Sequence, residues 1–255
     1  MIEKENKNSV ELDYVRHEKP EYTKEERMKG EYGGTLTEES RTKARDHAEI
    51  LAASIDKDNE LVIFWTSPKS RARQTCDIYK QVFQEKGIEV RENDEFQQTK
   101  ESMRDVITKD GSMGEIAEKM KAAGKEWGEW MEYWTESSKL PKGAETSGDL
   151  AKRSARVIAY LERVARTVAP NTDKKLHFVC IGHEEGVRDL LEASLGQGTK
   201  KGTGPTYGEG VHAEIKAAGR SESGEFVSPA EIKVSFRGKE GETKFDPKTR
   251  SFANR

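Results

Sequence analysis

The chain contains only two cysteines, Cys76 and Cys180, and each lies among apolar residues. Thiols in such surroundings are typical of buried free cysteines, and no zinc-ligand spacing accompanies them. Other signatures are also missing, namely a P-loop, an HExxH sequence and a carboxylate-rich magnesium motif. We therefore expect an active site that uses neither a metal nor a cofactor.

Long apolar runs are missing too. No stretch approaches the length of a membrane span, and the N-terminal MIEKENKNSV lacks the apolar region of a secretion signal. We expect a cytoplasmic protein with no membrane partner. Charged residues make up 36% of the 255 positions, but acids and bases are interspersed and the net charge is only −3. This balance gives no reason to expect nucleic acid as a partner.

The length suits one large domain that can bury a substantial core. Residues 1–9 are polar and are predicted to be disordered, so the domain spans residues 10–255. Residues 92–142 show little periodicity and are predicted to form a helical insertion or cap. Residues 196–255 form a C-terminal segment that begins with a Gly- and Lys-rich loop and ends in a predicted β-hairpin. The edge of that hairpin could pair with a second copy in a homodimer.

Short apolar runs alternate with segments of helical periodicity over most of the chain. The predicted strands are 10–15, 61–65 and 176–181, with a weak one at 88–91, and the predicted helices are 38–55, 70–86, 147–169 and 185–195. Continuous apolar strands such as LVIFW at 61–65 are typical of parallel sheets covered on both faces. The pattern predicts an α/β fold, a three-layer α/β/α sandwich with a mostly parallel central sheet.

Three polar motifs fall at the carboxyl ends of the predicted strands: Arg16-His17, the turn Thr66–Arg71, and Gly182-His183. In parallel sheets this edge gathers the ligand-binding residues, so two histidines and two arginines should meet there. Guanidinium groups bind phosphate oxygens and neutralise the charge of a transferring phosphoryl group. A neutral imidazole is a competent nucleophile toward phosphorus, and a second imidazole can donate to the phosphate or orient the first.

These motifs resemble those of the histidine phosphatase superfamily, the phosphoglycerate-mutase-like group. The family's Arg-His motif, with the loop and helix after it, corresponds to VRHEKPEYTKEERMKGEYGGTLTEESRTKA. Its Ser-Ser-Pro and Arg-Ala-x-Gln-Thr motif corresponds to TSPKSRARQT, its Pro-x-Gly-x-Glu helix to PKGAETSGDLAKRSARV, and its last strand and helix to VCIGHEEGVRDLL. All four occur in family order over about residues 10–195, and together they are specific.

The resemblance implies roles for seven residues of this chain and a phosphoglycerate-mutase-like fold. His17 is the nucleophile that becomes phosphorylated. The phosphate pocket is formed by Arg16, Arg71 and His183. The loop positions that bind phosphate or substrate are Thr23, which stands where the family often has Asn, together with Arg27 and Gly30.

Two departures from the family pattern bear on the chemistry. The glycine that usually follows the nucleophile is Glu18 here, a bulky acid beside the pocket. The family's proton donor is usually a glutamate in a Leu-x-Glu setting, where counting on from Val90 gives Phe96-Gln97-Gln98. The candidates for the donor are therefore Glu184, which directly follows the second histidine as in another branch of the superfamily, and the nearby Glu101, Glu95 and Glu92. Of these, Glu184 is preferred over Glu101.

The sequence thus predicts an enzyme, a metal-independent phosphatase that hydrolyses phosphate monoesters through a phosphohistidine intermediate. Its substrate is a phosphorylated small molecule or a phosphoprotein, and no pattern in the sequence identifies which. Two alternatives stay open. The bulky Glu18 and the missing donor would suit a non-catalytic protein that binds a phosphorylated ligand. A phosphomutase would need a closed, water-poor site that protects the phosphoenzyme.

Overall fold

The computed structural model describes residues 8–23, 34–91, 99–106, 112–126, 129–136 and 143–253. The strands of its main sheet are β1 (Ser9–Arg16), β4 (Glu60–Thr66), β5 (Lys175–Gly182), β6 (Gly210–Lys216), β7 (Ala230–Phe236), β8 (Lys239–Asp246) and β9 (Ser251–Phe252). They lie in the order β4-β5-β1-β6-β7-β8-β9. Two further short strands, β2 (Pro20–Glu21) and β3 (Thr35–Leu36), pair with each other.

The part of the sheet that carries the site is parallel. β5 pairs in parallel with β4 on one side and with β1 on the other, and the register places Arg16 beside Gly182 and Thr66 beside Ile181. The three strands therefore end at the same level, as the sequence predicted. β6 adds to β1 in the antiparallel sense, and β7, β8 and β9 continue the sheet in that sense.

Helices cover both faces of the sheet. Their bounds are α1 (Glu38–Ala52), α2 (Ser70–Glu85), α3 (Ser112–Ala122), α4 (Trp130–Glu136), α5 (Ser147–Thr167) and α6 (Glu184–Leu195), with short 3₁₀ turns at Glu101–Met103 and Ala169–Asn171. The Thr37 side chain accepts a hydrogen bond from Ser40 N and so caps α1, as predicted. α2 is followed by Gly87, whose φ of 73° suits glycine and ends the helix.

Two hydrophobic clusters flank the sheet. On one face, Ala44 and Ala48 of α1 and Tyr79 of α2 pack with Val15 and Ile181. The opposite face packs against α5 and α6 through a larger set of buried side chains that includes Leu12, Tyr14, Phe178, Ile158, Leu161 and Leu191. Each large apolar side chain that is buried in this way contributes about 1.5–3 kcal/mol to folding. The predicted three-layer α/β/α architecture is confirmed.

Several predictions differ from the structure in detail. β1 begins at Ser9, one residue inside the segment expected to be disordered. The weak strand at 88–91 is present only as an isolated bridge between Val90 and Val62. The predicted hairpin exists as β7 and β8, but it is an integral part of the main sheet because β6, which was not predicted, joins it to β1. The burial of β6 alternates from residue to residue, which is the usual sign of a strand, and β6 directly follows a glycine-rich loop.

Three further features complete the description of the fold. Cys76 and Cys180 are buried free thiols. The described residues between 92 and 142 are mainly helical, in the Glu101–Met103 turn, α3 and α4. Among the helices that the structure describes, none combines the length and the hydrophobicity needed to cross a bilayer.

Candidate active site

The carboxyl edge of β1, β4 and β5 brings the predicted motifs together. His17 N donates to Gly182 O at 3.0 Å, and Ser67 N donates to Ile181 O at 2.9 Å. These two backbone hydrogen bonds continue the sheet pairing by one residue beyond each strand. They therefore hold the first histidine and the Ser67 turn on either side of the end of β5, which leads into His183.

His183 is positioned through Tyr14 of β1. The Tyr14 hydroxyl accepts a hydrogen bond from His183 N at 3.2 Å and lies against the backbone of Gly182 and Gly186. A Cβ at either glycine would collide with that hydroxyl. The Gly-His pair of the motif therefore has a steric reason: glycine allows the end of β5 and the start of α6 to approach Tyr14.

His17 is buried and its two ring nitrogens have different partners. Nδ1 lies 2.7 Å from the carbonyl oxygen of Glu18, which can only accept, so Nδ1 carries the proton. Nε2 then has a free lone pair, and it accepts a hydrogen bond from Arg71 Nε at 2.9 Å. Burial, the neighbouring His183 ring and Arg71 lower the pKa of His17 well below 6.5. The imidazole is therefore neutral at physiological pH, with Nε2 facing the cluster.

Arg71, at the start of α2, links the elements of the site. Besides its bond to His17, its Nη2 donates to Asp105 Oδ2 at 2.8 Å and lies 3.3 Å from His183 Nδ1. Lys69 Nζ approaches the other oxygen of Asp105 at 3.5 Å. Because Asp105 and both imidazoles converge on one guanidinium group, its planar fork is held in a fixed direction.

His183 lies beside His17 with its ring centroid 4.8 Å away, in an edge-to-face arrangement. Its Nε2 is 2.8 Å from Ser67 Oγ, and its Nδ1 faces the donor Arg71, so the proton belongs on Nε2. Burial, Arg71 and Lys69 lower the pKa of His183 well below 6.5. Both histidines are thus neutral and lie next to cationic groups.

Arg16 lies on the side of the cluster that faces the C-terminal segment. Its Nη1 contacts Glu184 Oε2 at 2.6 Å and donates to Pro205 O at 2.8 Å. The ring of Tyr207 stacks on the guanidinium group at 4.2 Å and lies 5.6 Å from the His17 ring. Arg16 therefore holds α6 and the loop before β6 together beside the nucleophile.

Two acids directly follow His183, and both bind protons more tightly than ordinary carboxyl groups. Burial raises the pKa of Glu184, although Arg16 opposes the shift. Burial, together with the charges of Asp105 and Glu184, raises the pKa of Glu185 to about 7. The structure places Glu101 differently: its side chain is 72% exposed and pairs with Arg104 at 3.6 Å.

Glu18 does not fill the phosphate pocket, although it replaces the usual glycine. Its buried carboxylate turns toward α1 and contacts His47 Nδ1 at 2.6 Å, and its backbone N donates to Thr75 Oγ1 at 3.1 Å. Gly208 leaves room for this pair, because a Cβ there would collide with both side chains. The acid is therefore accommodated outside the cluster.

The remaining predicted residues are either away from this cluster or outside the described residues. Thr23 is exposed at the end of a described segment. The predicted positions Arg27, Gly30, Glu92 and Glu95 lie outside the described residues. The structure thus brings together Arg16, His17, Arg71, His183 and Glu184.

Five residues of the site received no role from the sequence reasoning, namely Ser67, Lys69, Asp105, Glu185 and Tyr207. Ser67 lies within a quoted motif but received no role. Asp105 follows Met103 and Arg104, so the family's Leu-x-Glu pattern is present if Met and Asp are allowed in it. Tyr207 lies in the glycine-rich stretch before β6 and has no sequence signal, because its place beside Arg16 arises only from the tertiary fold.

The arrangement favours an anion. Three cationic side chains, those of Arg16, Lys69 and Arg71, surround two neutral imidazoles at the end of the sheet. A doubly charged phosphate group would be attracted by these cations and bonded by the guanidinium forks.

The chain is similar to known proteins in its sequence pattern and in its fold. The family model of the histidine phosphatase superfamily (branch 1) matches residues 13–203. No curated protein matches the chain in sequence. The solved structure of a mycobacterial glucosyl-3-phosphoglycerate phosphatase is similar, with a TM-score of 0.53 and 20% identity, covering 81% of this chain and 91% of the other.

Two further solved structures share the fold. The protein described as mycobacterial hydrolase 2 has a TM-score of 0.56 and 18% identity, and the match covers 91% of this chain and 92% of the other. A phosphoglycerate mutase from Bacillus anthracis has a TM-score of 0.53 and 16% identity, with 92% of each chain covered. With the family model matching most of its length, this chain is a member of the histidine phosphatase superfamily.

Proposed function

We propose that this protein is a phosphatase that hydrolyses phosphate monoesters through a covalent phosphohistidine on His17, with no metal in the reaction. The observation that carries the proposal is the environment of the His17 ring. The Glu18 carbonyl fixes the proton on Nδ1, so Nε2 has the lone pair that a nucleophile needs. Membership of the family supports phosphatase or mutase chemistry in general.

In the first step, Nε2 of His17 attacks phosphorus and the bond between phosphorus and the ester oxygen breaks. In the structure without substrate, Arg71 Nε donates to His17 Nε2, and a phosphoryl oxygen is an equally good acceptor for that donor. Substrate binding can therefore free the lone pair and at the same time stabilise the charge on the phosphoryl oxygens. Arg16 is available for the same purpose beside Tyr207.

The departing oxygen needs a proton, and we assign its source to the acids after His183. Glu184 was the preferred donor on sequence grounds, and its raised pKa supports that role. Burial, with the charges of Asp105 and Glu184, raises the pKa of Glu185 to about 7, so it still carries a proton in mild acid. In the second step the same carboxylate takes a proton from water, which attacks the phosphohistidine and releases inorganic phosphate.

The test is a panel of phosphorylated metabolites, phosphopeptides and an aryl phosphate, assayed with EDTA present. We expect release of inorganic phosphate by the wild type and none by His17→Ala. Transfer of the phosphoryl group to a second metabolite, in place of water, would support the mutase alternative. If the protein binds phosphate but no substrate is turned over, the non-catalytic alternative is favoured. Turnover by His17→Ala would refute the assignment of the nucleophile.

A further inference from the structure

A second group of polar side chains lies on the sheet away from the phosphate pocket. Asp13 of β1 is flanked by His177 of β5 and by His212 of β6, which is its direct partner in the antiparallel register. All three side chains are on the face covered by α1 and α2. The described phosphate-pocket contacts involve none of them.

The three side chains point at one another. Asp13 Oδ2 lies 2.6 Å from His177 Nε2, and Asp13 Oδ1 lies 3.2 Å from His212 Nδ1. One ligand atom from each residue lies within 4.8 Å of the other two. A tetrahedral zinc ion with bonds of about 2.0–2.1 Å keeps its ligand atoms about 3.3 Å apart. The group can therefore close around such an ion with movements of about 1 Å or less.

Each histidine is also held by a second carboxylate through its other nitrogen. His177 Nδ1 lies 2.9 Å from Glu60 Oε2, and His212 Nε2 lies 3.3 Å from Glu11 Oε2. A histidine that ligates a metal almost always has such an outer partner, which fixes its orientation and tautomer. Here both outer partners are in place, and they leave Nε2 of His177 and Nδ1 of His212 directed at Asp13.

Glu11 belongs to the outer layer of carboxylates around the three residues. Its Oε1 pairs with Lys175, but its Oε2 is buried and receives no well-aligned hydrogen bond from any residue that the structure describes. A buried carboxylate oxygen without a donor is costly. A proton on His212 Nε2 supplies that donor, both when a metal occupies Nδ1 and when both ring nitrogens are protonated, so this contact fits either state.

An ion can reach the group from solvent. The His212 side chain is 44% exposed and lies between two surface grooves, each of about 490 Å³. Asp13 also lines the first groove and Glu11 the second. The open side leaves a fourth coordination position for water.

We propose that Asp13, His177 and His212 form a binding site for a divalent transition metal of the zinc class. Two imidazole nitrogens and one carboxylate oxygen are ligands that zinc prefers, and the carboxylates of Glu11 and Glu60 add negative charge around them. The site takes no part in the phosphatase proposal, so either one can fail without the other.

The competing account is a closed ion-pair network in which protons take the place of the metal. Burial lowers the pKa of His177, but its hydrogen bonds to Asp13 and Glu60 outweigh burial and raise that pKa to about 9. The nearby carboxylates of Asp13 and Glu11 raise the pKa of His212 to about 10. An experiment must therefore ask whether a metal displaces these protons.

The experiment titrates the full-length chain with zinc chloride by calorimetry and then measures bound zinc after dialysis. It is done on a His17→Ala background, because His17 and His183 are a second pair of adjacent imidazoles that could bind zinc. We expect His17→Ala to bind one equivalent, and the added change His212→Ala to abolish that binding. The matched control is His47→Ala on the same background, which removes another partly exposed histidine and should still bind one equivalent of zinc.

A second variant covers the case in which His212→Ala does not fold. Glu60→Gln keeps both imidazoles but weakens the outer partner of His177, and we expect the affinity for zinc to fall about 10–100-fold. The proposal is overturned if His17→Ala binds no zinc, if folded His212→Ala binds it as tightly, or if Glu60→Gln leaves the affinity unchanged.

Discussion

Arg71 Nε lies 2.9 Å from His17 Nε2, the atom proposed to attack phosphorus. The same guanidinium group donates to Asp105 at 2.8 Å, so its direction is set from the other side of the cluster. Arg71 thus both holds the nucleophile and supplies donors to the group that the nucleophile attacks. Its contribution should appear in the chemical step.

Removing the guanidinium should slow catalysis more than it weakens binding. We expect Arg71→Ala to lower kcat by about 10²–10³-fold, the usual loss when a donor to the transition state is removed. Arg71→Lys keeps the charge but has no planar fork, so it should recover only a small part of the rate. Steady-state kinetics on an aryl phosphate measures both. An unchanged kcat with a raised KM would mean that Arg71 contributes uniform binding only.

The profile of kcat/KM against pH should have an acid limb set by His17 and an alkaline limb set by the proton donor, and the two should lie far apart. His17 must be neutral to attack, and because its pKa is lowered, it stays neutral well below pH 6.5. The donor among the two acids after His183 must be protonated, and for Glu185, with a pKa of about 7, this form is lost as the pH rises through 7. We therefore expect activity to be kept in mild acid and to decline above about pH 7.

The variant Glu185→Gln identifies the alkaline limb, because glutamine does not titrate in this range. If Glu185 is the donor, the variant is slow and its profile is flat above pH 7, while Glu184→Gln keeps the decline. The reverse pattern would assign the donor to Glu184. A profile that still declines in both variants would place the proton donor elsewhere, with Asp105 as the next carboxylate in contact with Arg71.

Tyr207 should favour substrates with an aromatic leaving group. Its ring is 39% exposed, stacks on Arg16 at 4.2 Å and lies 5.6 Å from the His17 ring. An aromatic pair contributes about 0.5–1.5 kcal/mol, so Tyr207→Ala should raise KM for an aryl phosphate about 3–10-fold. Tyr207→Phe is the matched control and should behave like the wild type.

A small alkyl phosphate separates two explanations of the Tyr207 effect. It offers no ring to stack, so its KM should hardly change in Tyr207→Ala. An equal rise in KM for both substrates would show that Tyr207 acts only by holding Arg16.

The two glycines Gly182 and Gly148 should respond in opposite ways to alanine. A methyl group at Gly182 meets the Tyr14 hydroxyl in the tightly packed region under His183, so Gly182→Ala should lower the free energy of unfolding by about 1–3 kcal/mol. Gly148 lies in the first turn of α5, where an added Cβ would meet only Thr146 Oγ1, at an ordinary contact distance of 3.9 Å. Gly148→Ala should therefore raise the free energy of unfolding by about 0.5–1 kcal/mol. Urea denaturation followed by circular dichroism measures both. A neutral Gly182→Ala would contradict the close approach to Tyr14.

The parallel core of the fold could be predicted because its signals are local. The apolar runs of β4 and β5 are continuous, and the helices around them are bounded by caps such as Thr37 and by Gly87. β6 alternates apolar and polar residues and so carried a local signal that was overlooked after the glycine-rich loop, whereas its antiparallel pairing with β1 depends on residues far away in the sequence. Pairing partners far apart in sequence leave no local pattern.

The candidate site could be predicted only in part, because only some of its residues lie next to elements with local signals. Arg16 ends β1, and His17 and His183 directly follow strands. Arg71 lies in the first turn of α2, so the order of the strands brings all four residues together. Asp105 and Tyr207 reach the cluster from segments without regular periodicity, and their contacts with Arg71 and Arg16 depend on tertiary packing. The direction of the Glu18 side chain was likewise unpredictable, because its partner His47 lies 29 residues away.

The most direct measurement is to trap the phosphoenzyme. The wild type is mixed with a radiolabelled phosphate monoester, quenched in alkali, where phosphohistidine survives, and the labelled peptide is mapped by mass spectrometry. The account predicts one labelled residue, His17, with the label appearing within one turnover and absent from His17→Ala. A wild-type enzyme that turns over without any labelled histidine, or with the label on another residue, would contradict it.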